Sequence, residues 1–244
     1  MTHKAAAETT VGGDLLKIKN ETQRFTIEDK TVCIVGCGGL GTNAAAHLAG
    51  AGARKIYLCD FDKISGNNLN RQFFFTEKDL GKSKADTLKE KLSAYAKDTL
   101  FVSVNDKIEK KDDLSFALDC DVLICCVDNA GGRRALTDFS KEKKIPSVFG
   151  GIDGFYGTAY IYLPDVSPCP HCTGIITDAP VGSSVSSTAG IIGAMEANLA
   201  IKYLLGEEAS LKGKLFLFDG DLWETLTVKE NKSCKICNTH EVIE

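Results

Sequence analysis

The chain has 244 residues, a formal net charge of −4, 43% hydrophobic and 25% charged residues. That length and apolar content suit one large α/β domain, or a domain with an appendage, built on a real core. No domain-wide basic excess favours bulk nucleic-acid binding, no apolar run approaches the roughly 18 residues of a membrane helix, and the N-terminus carries no apolar signal core, so a cytoplasmic protein is expected.

Residues 1–30 are polar apart from Leu15, Leu16 and Ile18, which predicts a partly flexible N-terminal segment with one short helix. Residues 32–35 form a short β-branched apolar run, as a strand buried on both faces would. Gly36-Cys37-Gly38-Gly39-Leu40-Gly41 follows, a G-x-G-x-x-G pattern with an extra glycine. Residues 42–51 are alanine-rich and helical, 55–59 read as a second strand, and Asp60 stands 19 residues after Gly41. Glycines permit a tight turn and close approach of a phosphate; the helix start offers unpaired N–H groups; an acid after the second strand can accept ribose hydroxyls. In that context the glycine pattern predicts a nucleotide site.

Past Asp60 and Asp62, the loop Asn67-Asn68-Leu69-Asn70-Arg71-Gln72 lies beyond the carboxyl end of a strand, where α/β sheets bind ligands. Residues 73–75 look like a short buried piece. A helix is expected over 82–97, with Ala85, Leu88, Leu92 and Tyr95 on its apolar face. A strand over 100–104, a short acidic helix near 112–118 and a near-continuous apolar strand over 121–127 follow, the last running into Asp128-Asn129. A helix over 130–143 and a strand over 147–151 complete a β-α-β-α-β-α-β-α-β series, which implies a parallel sheet.

The pattern then changes. Residues 156–163 alternate as an antiparallel strand would. Residues 173–188 are rich in Ser, Gly and Pro and read as a loop, 189–205 as a helix ending at Gly206, and Asp219-Gly220 as a hairpin between strands at 214–218 and 222–228. Domain boundaries follow: 1–30 as an N-terminal segment and 31–244 as a single domain, with a nucleotide-binding half at 31–151 and a C-terminal half at 152–244.

Of ten cysteines, Cys33, Cys59, Cys120, Cys125 and Cys126 fall in or beside buried strands and read as small hydrophobes. Cys169, Cys172, Cys234 and Cys237 form two C-x-x-C pairs whose inner members are 62 residues apart. In a reducing compartment that spacing favours a tetrahedral zinc site of four thiolates over disulfides; a redox C-x-x-C is the alternative.

The order GCGGLG, D-x-D, NLNRQ, Gly81-Lys82-Ser83-Lys84-Ala85, Val127-Asp128-Asn129 and two framing C-x-x-C pairs resembles the ThiF/MoeB/HesA family, the ubiquitin-activating-enzyme-like adenylyltransferases, over about residues 31–237. The resemblance implies a Rossmann-like, mostly parallel sheet with helices on both faces, C-terminal antiparallel strands and a structural zinc. It implies ATP-dependent adenylylation of the C-terminal carboxylate of a small ubiquitin-like or sulfur-carrier protein ending in Gly-Gly. A cysteine desulfurase or other sulfur donor and a homodimer are implied partners, and ATP, Mg²⁺ and Zn²⁺ the implied cofactors. By motif, Gly36, Gly38, Gly39 and Gly41 would cradle the nucleotide, and Asp60, with Asp62 beside it, would hold the ribose. Asn67, Asn68, Arg71, Gln72 and Lys84 would face the phosphates, and Asp128, beside Asn129, would position Mg²⁺; Arg71, Lys84 and Asp128 carry the implied catalysis. These types suit the chemistry, because bringing a carboxylate to an anionic phosphate needs positioning and cations rather than a nucleophilic side chain.

Two features depart from the family pattern. No cysteine lies between Cys172 and Cys234, where many relatives carry one that forms a thioester or persulfide, so adenylylation without that link is expected. The N-terminus has Arg24, and nearby Lys17 and Lys19, but no R-Y-x-R-Q motif of the kind that reaches a partner's ATP site. The glycine loop and Asp60 alone would also permit an NAD-dependent oxidoreductase, and the superfamily includes tRNA-modifying cyclases, for which a basic surface is expected.

Overall fold

The computed structural model describes residues 26–176, 185–234, 236 and 237. The apolar patch at 15–18, Lys17, Lys19, Arg24 and half of the Ser/Gly/Pro-rich stretch lie outside the described residues. Eight strands form one sheet in the order β3-β2-β1-β4-β5-β6-β7-β8. Strands β1 (Thr31–Val35), β2 (Lys55–Cys59), β3 (Leu100–Val104), β4 (Val122–Cys125) and β5 (Ser147–Asp153) run parallel. Strands β6 (Tyr156–Tyr162), β7 (Lys214–Phe218) and β8 (Trp223–Thr227) continue the sheet antiparallel.

The helices follow from side-chain alternation along the parallel strands. Val32, Ile34, Ile56, Leu58, Val122 and Ile124 point to the face covered by α1 (Gly39–Gly50), α2 (Lys84–Tyr95) and α5 (Ser186–Leu204). Cys33, Val35, Tyr57, Cys59, Leu123 and Cys125 point to the other face, covered by α3 (Ala130–Lys143) and a 3-10 turn at Lys111–Ala117. A strand covered on both sides must be apolar at every position, which is why these strands read as continuous hydrophobic runs. Short helices α4 (Pro170–Thr173) and α6 (Glu208–Leu211) complete the described α-helices. No described helix is long and apolar enough to cross a membrane.

Several expected boundaries shift. The acidic helix near 112–118 is a 3-10 turn, α2 is shorter than 82–97 at both ends, and the loop predicted over 173–188 gives way to α5 at Ser186. Phe75 is buried, but Phe73 is 60% exposed. Tyr95 is 66% exposed. It is the last residue of α2, and its hydroxyl is 3.3 Å from where a Cβ on Gly50, the last residue of α1, would stand. Cys126 is only partly buried, unlike the four other strand cysteines.

Candidate functional site

The sheet order reverses between β1 and β4, and a cleft of about 930 Å³ opens over the carboxyl ends of these strands, the position where open α/β sheets bind ligands. Its walls include Gly36, Gly38, Gly39, Asp60, Asp62, Asn68, Arg71, Gln72, Lys84, Asp128 and Asn129. Residues far apart in the chain therefore meet in one concave site.

The glycine loop is shaped by close approach. Gly36 has φ +98°, and a Cβ there would stand 2.6 Å from the Cys126 carbonyl oxygen. A Cβ on Gly41 would stand 1.8 Å from the Gly36 carbonyl oxygen. Gly41 does not line the cleft; its role is to let α1 start directly against the loop. No side chain caps α1, so its first N–H groups and the positive end of its dipole face the cleft mouth. Arg71 lies over that helix start, its Cγ 3.5 Å from where a Cβ on Gly39 would be. Its Nη1 donates to the Asn67 carbonyl at 3.1 Å and to Asn70 Oδ1 at 2.9 Å. Asn67 contributes that carbonyl but does not line the cleft. Asn68 Oδ1 accepts from Ser65 N and Oγ, each at 3.0 Å, and so stabilises the loop turn.

Asp60 is buried where β2 ends. Its Oδ2 accepts from Cys37 N at 2.7 Å and its Oδ1 from Asp62 N at 2.8 Å. Each oxygen keeps a lone pair for a hydroxyl donor. Burial raises its pKa, opposed by the Lys84 charge and the two N–H donors. Lys84, at the start of α2, is buried and pairs with Asp62 Oδ2 at 2.8 Å. Cys37 is fully buried and its thiol is pushed well above its ordinary pKa by desolvation and by Asp60, which leaves it unreactive.

Asp128 stands exposed in the cleft after β4 and makes no hydrogen bond or ion pair among the described residues. The cap of α3 is its neighbour: Asn129 Oδ1 accepts from Gly132 N at 2.8 Å. Gln72 Oε1 is a buried acceptor with no hydrogen-bond partner among the described residues. An orphaned acceptor, a free carboxylate, two cations and an uncapped helix start make a donor set that fits a nucleotide triphosphate with a hard cation. Sequence reasoning missed Arg133, a buried residue one turn into α3 that lines the same cleft. A lone arginine in a helix carries no local signal of burial. Phe61 and Lys107, also missed, line the cleft too, with Lys107 Nζ 5.6 Å from the Phe61 ring centre.

Against the antiparallel strands, on the face covered by α3, the Sγ atoms of Cys169, Cys172, Cys234 and Cys237 lie within 4.8 Å of one another. Cys169–Cys172, Cys169–Cys234 and Cys172–Cys237 are 3.9, 3.5 and 3.6 Å apart. A tetrahedron with Zn–S bonds of about 2.3 Å needs S···S spacings of about 3.8 Å, so the four thiols could hold a zinc ion with no open position. Asn231 N donates to Cys172 Sγ at 3.4 Å. Burial raises the Cys234 thiol, but the N–H groups of Cys237 and Ile236 outweigh it and bring it down to about 7. The Nε2 of His171 is buried without a partner among the described residues, and the imidazole is not part of the four-thiol group.

Over 225 residues the chain is 29% identical to the adenylyltransferase and sulfurtransferase MOCS3 of Aedes aegypti, covering 88% of this chain and 52% of that protein. It is 29% identical over 217 residues to the sulfur carrier protein ThiS adenylyltransferase of Escherichia coli, covering 86% of each. The chain spans about half the length of the MOCS3 relatives it matches. The crystal structure of E. coli MccB with ATP superposes with a TM-score of 0.76 at 21% identity, covering 88% of this chain and 68% of that one, a likeness of fold. The ThiF family model matches residues 14–238, and the chain belongs to the ThiF family.

Proposed function

We propose that this protein adenylylates the C-terminal carboxylate of a small ubiquitin-like or sulfur-carrier protein. The observation that carries this reading is the convergence of the uncapped α1 start, Asp60, Arg71, Lys84 and Asp128 on one cleft. The printed name of the E. coli relative, a ThiS adenylyltransferase, supports the substrate class.

In this reading a carboxylate oxygen attacks the α-phosphorus of ATP. The bond from that phosphorus to the bridging oxygen breaks, pyrophosphate leaves, and an acyl adenylate forms. The α1 N–H groups and Gly38–Gly39 bind phosphate oxygens, and Asp60 accepts from the ribose hydroxyls. Arg71 offers a planar fork and Lys84 a point charge to the departing pyrophosphate. Lys84 exchanges its Asp62 partner for phosphate oxygens when nucleotide enters. Asp128 would hold Mg²⁺, which supplies charge neutralisation at the phosphates. Asn68, Gln72, Asp62 and Asn129 shape the walls around them, and the four cysteines would hold a structural zinc. Among the described residues, the cysteines that line the cleft, Cys59 and Cys126, have thiols raised by burial, which favours release of the adenylate without an enzyme thioester; family membership points to a sulfur donor and a second copy of the chain as partners.

ATP–pyrophosphate exchange with small carrier proteins ending in Gly-Gly tests the reading. Exchange should require the carrier and fall by about 10²–10³ in Lys84→Ala and Asp128→Ala, whose charges act on the transition state. Exchange without a carrier, or undiminished in both variants, would sink it.

A further inference from the structure

Two buried ionisable side chains beneath the cleft have no part in the chemistry above: Arg133 of α3 and Glu196 of α5. Their helices cover opposite faces of the sheet, and both side chains reach the same residue, Gly150 of β5. The ladder between β4 and β5 ends at Cys125 and Phe149. Leu123 N donates to the Pro146 carbonyl, so alternate residues 146, 148 and 150 turn their polar groups toward β4. At Gly150 that strand has run out. A side chain takes its place: the Gly150 carbonyl accepts from Arg133 Nη2 at 2.6 Å, and the Glu196 carboxyl packs against Gly150 from the other face. A Cβ on Gly150 would stand 2.5 Å from Glu196 Cδ, so the arrangement needs glycine there.

The same guanidinium makes two more bonds. Nε donates to the Val127 carbonyl at 3.1 Å, and Nη1 to the Ile175 carbonyl at 3.4 Å. One rigid, permanently charged fork thus joins the residue before Asp128, strand β5 and the segment three residues past Cys172.

We propose that Arg133 is a positioning residue for nucleotidyl transfer: it clamps the Val127 carbonyl against Gly150 and so sets the direction in which Asp128 projects into the cleft, while Glu196 anchors Gly150 from the opposite face. The proposal rests on reading the cleft as a nucleotidyl-transfer site. Val127 and Asp128 belong to no strand beyond Cys125, and the fork supplies the restraint that a ladder would otherwise give. A lysine keeps the charge but cannot hold three carbonyls in one plane.

The test uses Arg133→Lys and Arg133→Met, the second replacing a buried charge by an apolar chain of similar length. Mn²⁺ binding in the presence of a non-hydrolysable ATP analogue is read by electron paramagnetic resonance, and exchange kinetics, melting temperature and zinc content are measured alongside. Mn²⁺ affinity and kcat should each fall about 10–100-fold, the usual cost of losing the support behind a metal-holding carboxylate. KM for ATP should stay within about twofold, with melting and zinc content unmoved, because uniform binding is untouched. Unchanged Mn²⁺ affinity and kcat in either variant, full activity in the lysine variant, or failure of both variants to fold would overturn the proposal. Wild-type protein that binds Mn²⁺ with the analogue but never exchanges with a carrier overturns the proposed reaction and leaves the Arg133 measurement intact; wild-type protein that binds neither overturns both.

Discussion

At the parallel end of the sheet, Asp60, Lys84 and Arg71 are held in place by backbone N–H groups, one carboxylate and carbonyls of their own loop. At the antiparallel end, four thiols from segments 62 residues apart in sequence converge on one point, and Lys141 of α3 donates to the Ile236 carbonyl of the returning tail. The first arrangement hangs charged groups on a scaffold that would stand without them. The second is itself the closure: among the described residues no strand lies beyond Thr227, and the cysteines, with the Lys141 bond, join the tail to the sheet. Substitution should therefore cost chemistry at one end and cohesion at the other.

The strongest way to break this comparison is to strip the metal. Exhaustive chelation, or Cys234→Ser, should remove one zinc per chain and several kcal/mol of stability, since binding of a structural zinc contributes directly to folding. For a chain of this size that is a fall in melting temperature on the order of 10 °C. A protein purified without zinc, or one whose melt ignores the chelator, would contradict it. A smaller effect probes the boundary between the two kinds of residue. Gly41→Ala places a Cβ 1.8 Å from a backbone oxygen and should cost about 1–3 kcal/mol through overpacking. Because α1 must then move off the loop, ATP affinity should fall with it. Destabilisation with unchanged ATP affinity would mean that the helix start does not hold phosphate.

The smallest effect is a pH slope. Burial raises Glu196 to about 8, with Cys126 Sγ 3.5 Å away and Arg133 nearby as the groups that lower it. The thiol that faces it, Cys126, has its own pKa raised well up by burial and stays protonated through neutrality. The folded chain therefore keeps a proton that the unfolded chain gives up near its ordinary carboxylate value of 4.5. Stability from this group is full at low pH and is lost as pH rises toward 8, by at most about 1.4 kcal/mol per unit. Glu196→Gln should flatten that slope in melts between pH 5 and 8; an unchanged slope would remove the raised pKa from the account.

The residues that sequence reasoning found share one property: their role is written in their neighbours along the chain. Asp60 follows a strand, Lys84 opens a helix, and each cysteine has a second one three positions away. Strands 55–59, 100–104 and 214–218 and the helix over 130–143 coincide with the structure because period-2 and period-3.6 patterns are local. Arg133 and Glu196 carry no such local signal, since nothing beside them reveals that each is buried. Asn129 was placed with the nucleotide ligands and is also the α3 cap, a role decided by where β4 stops.

The sequence by itself determined the order of strands and helices, the glycine loop, the acids and cations at strand ends, and two cysteine pairs of metal-binding spacing. It could do so because propensity, periodicity and ligand spacing act over a few residues. Only the tertiary structure decided that Gly41 serves packing while Gly38 and Gly39 face the cleft, that Phe73 and Tyr95 stay exposed, and that Gly150 is gripped from both faces. The grip on Gly150 joins it to residues 17 and 46 positions away, and contacts at that range exist only once the sheet has formed.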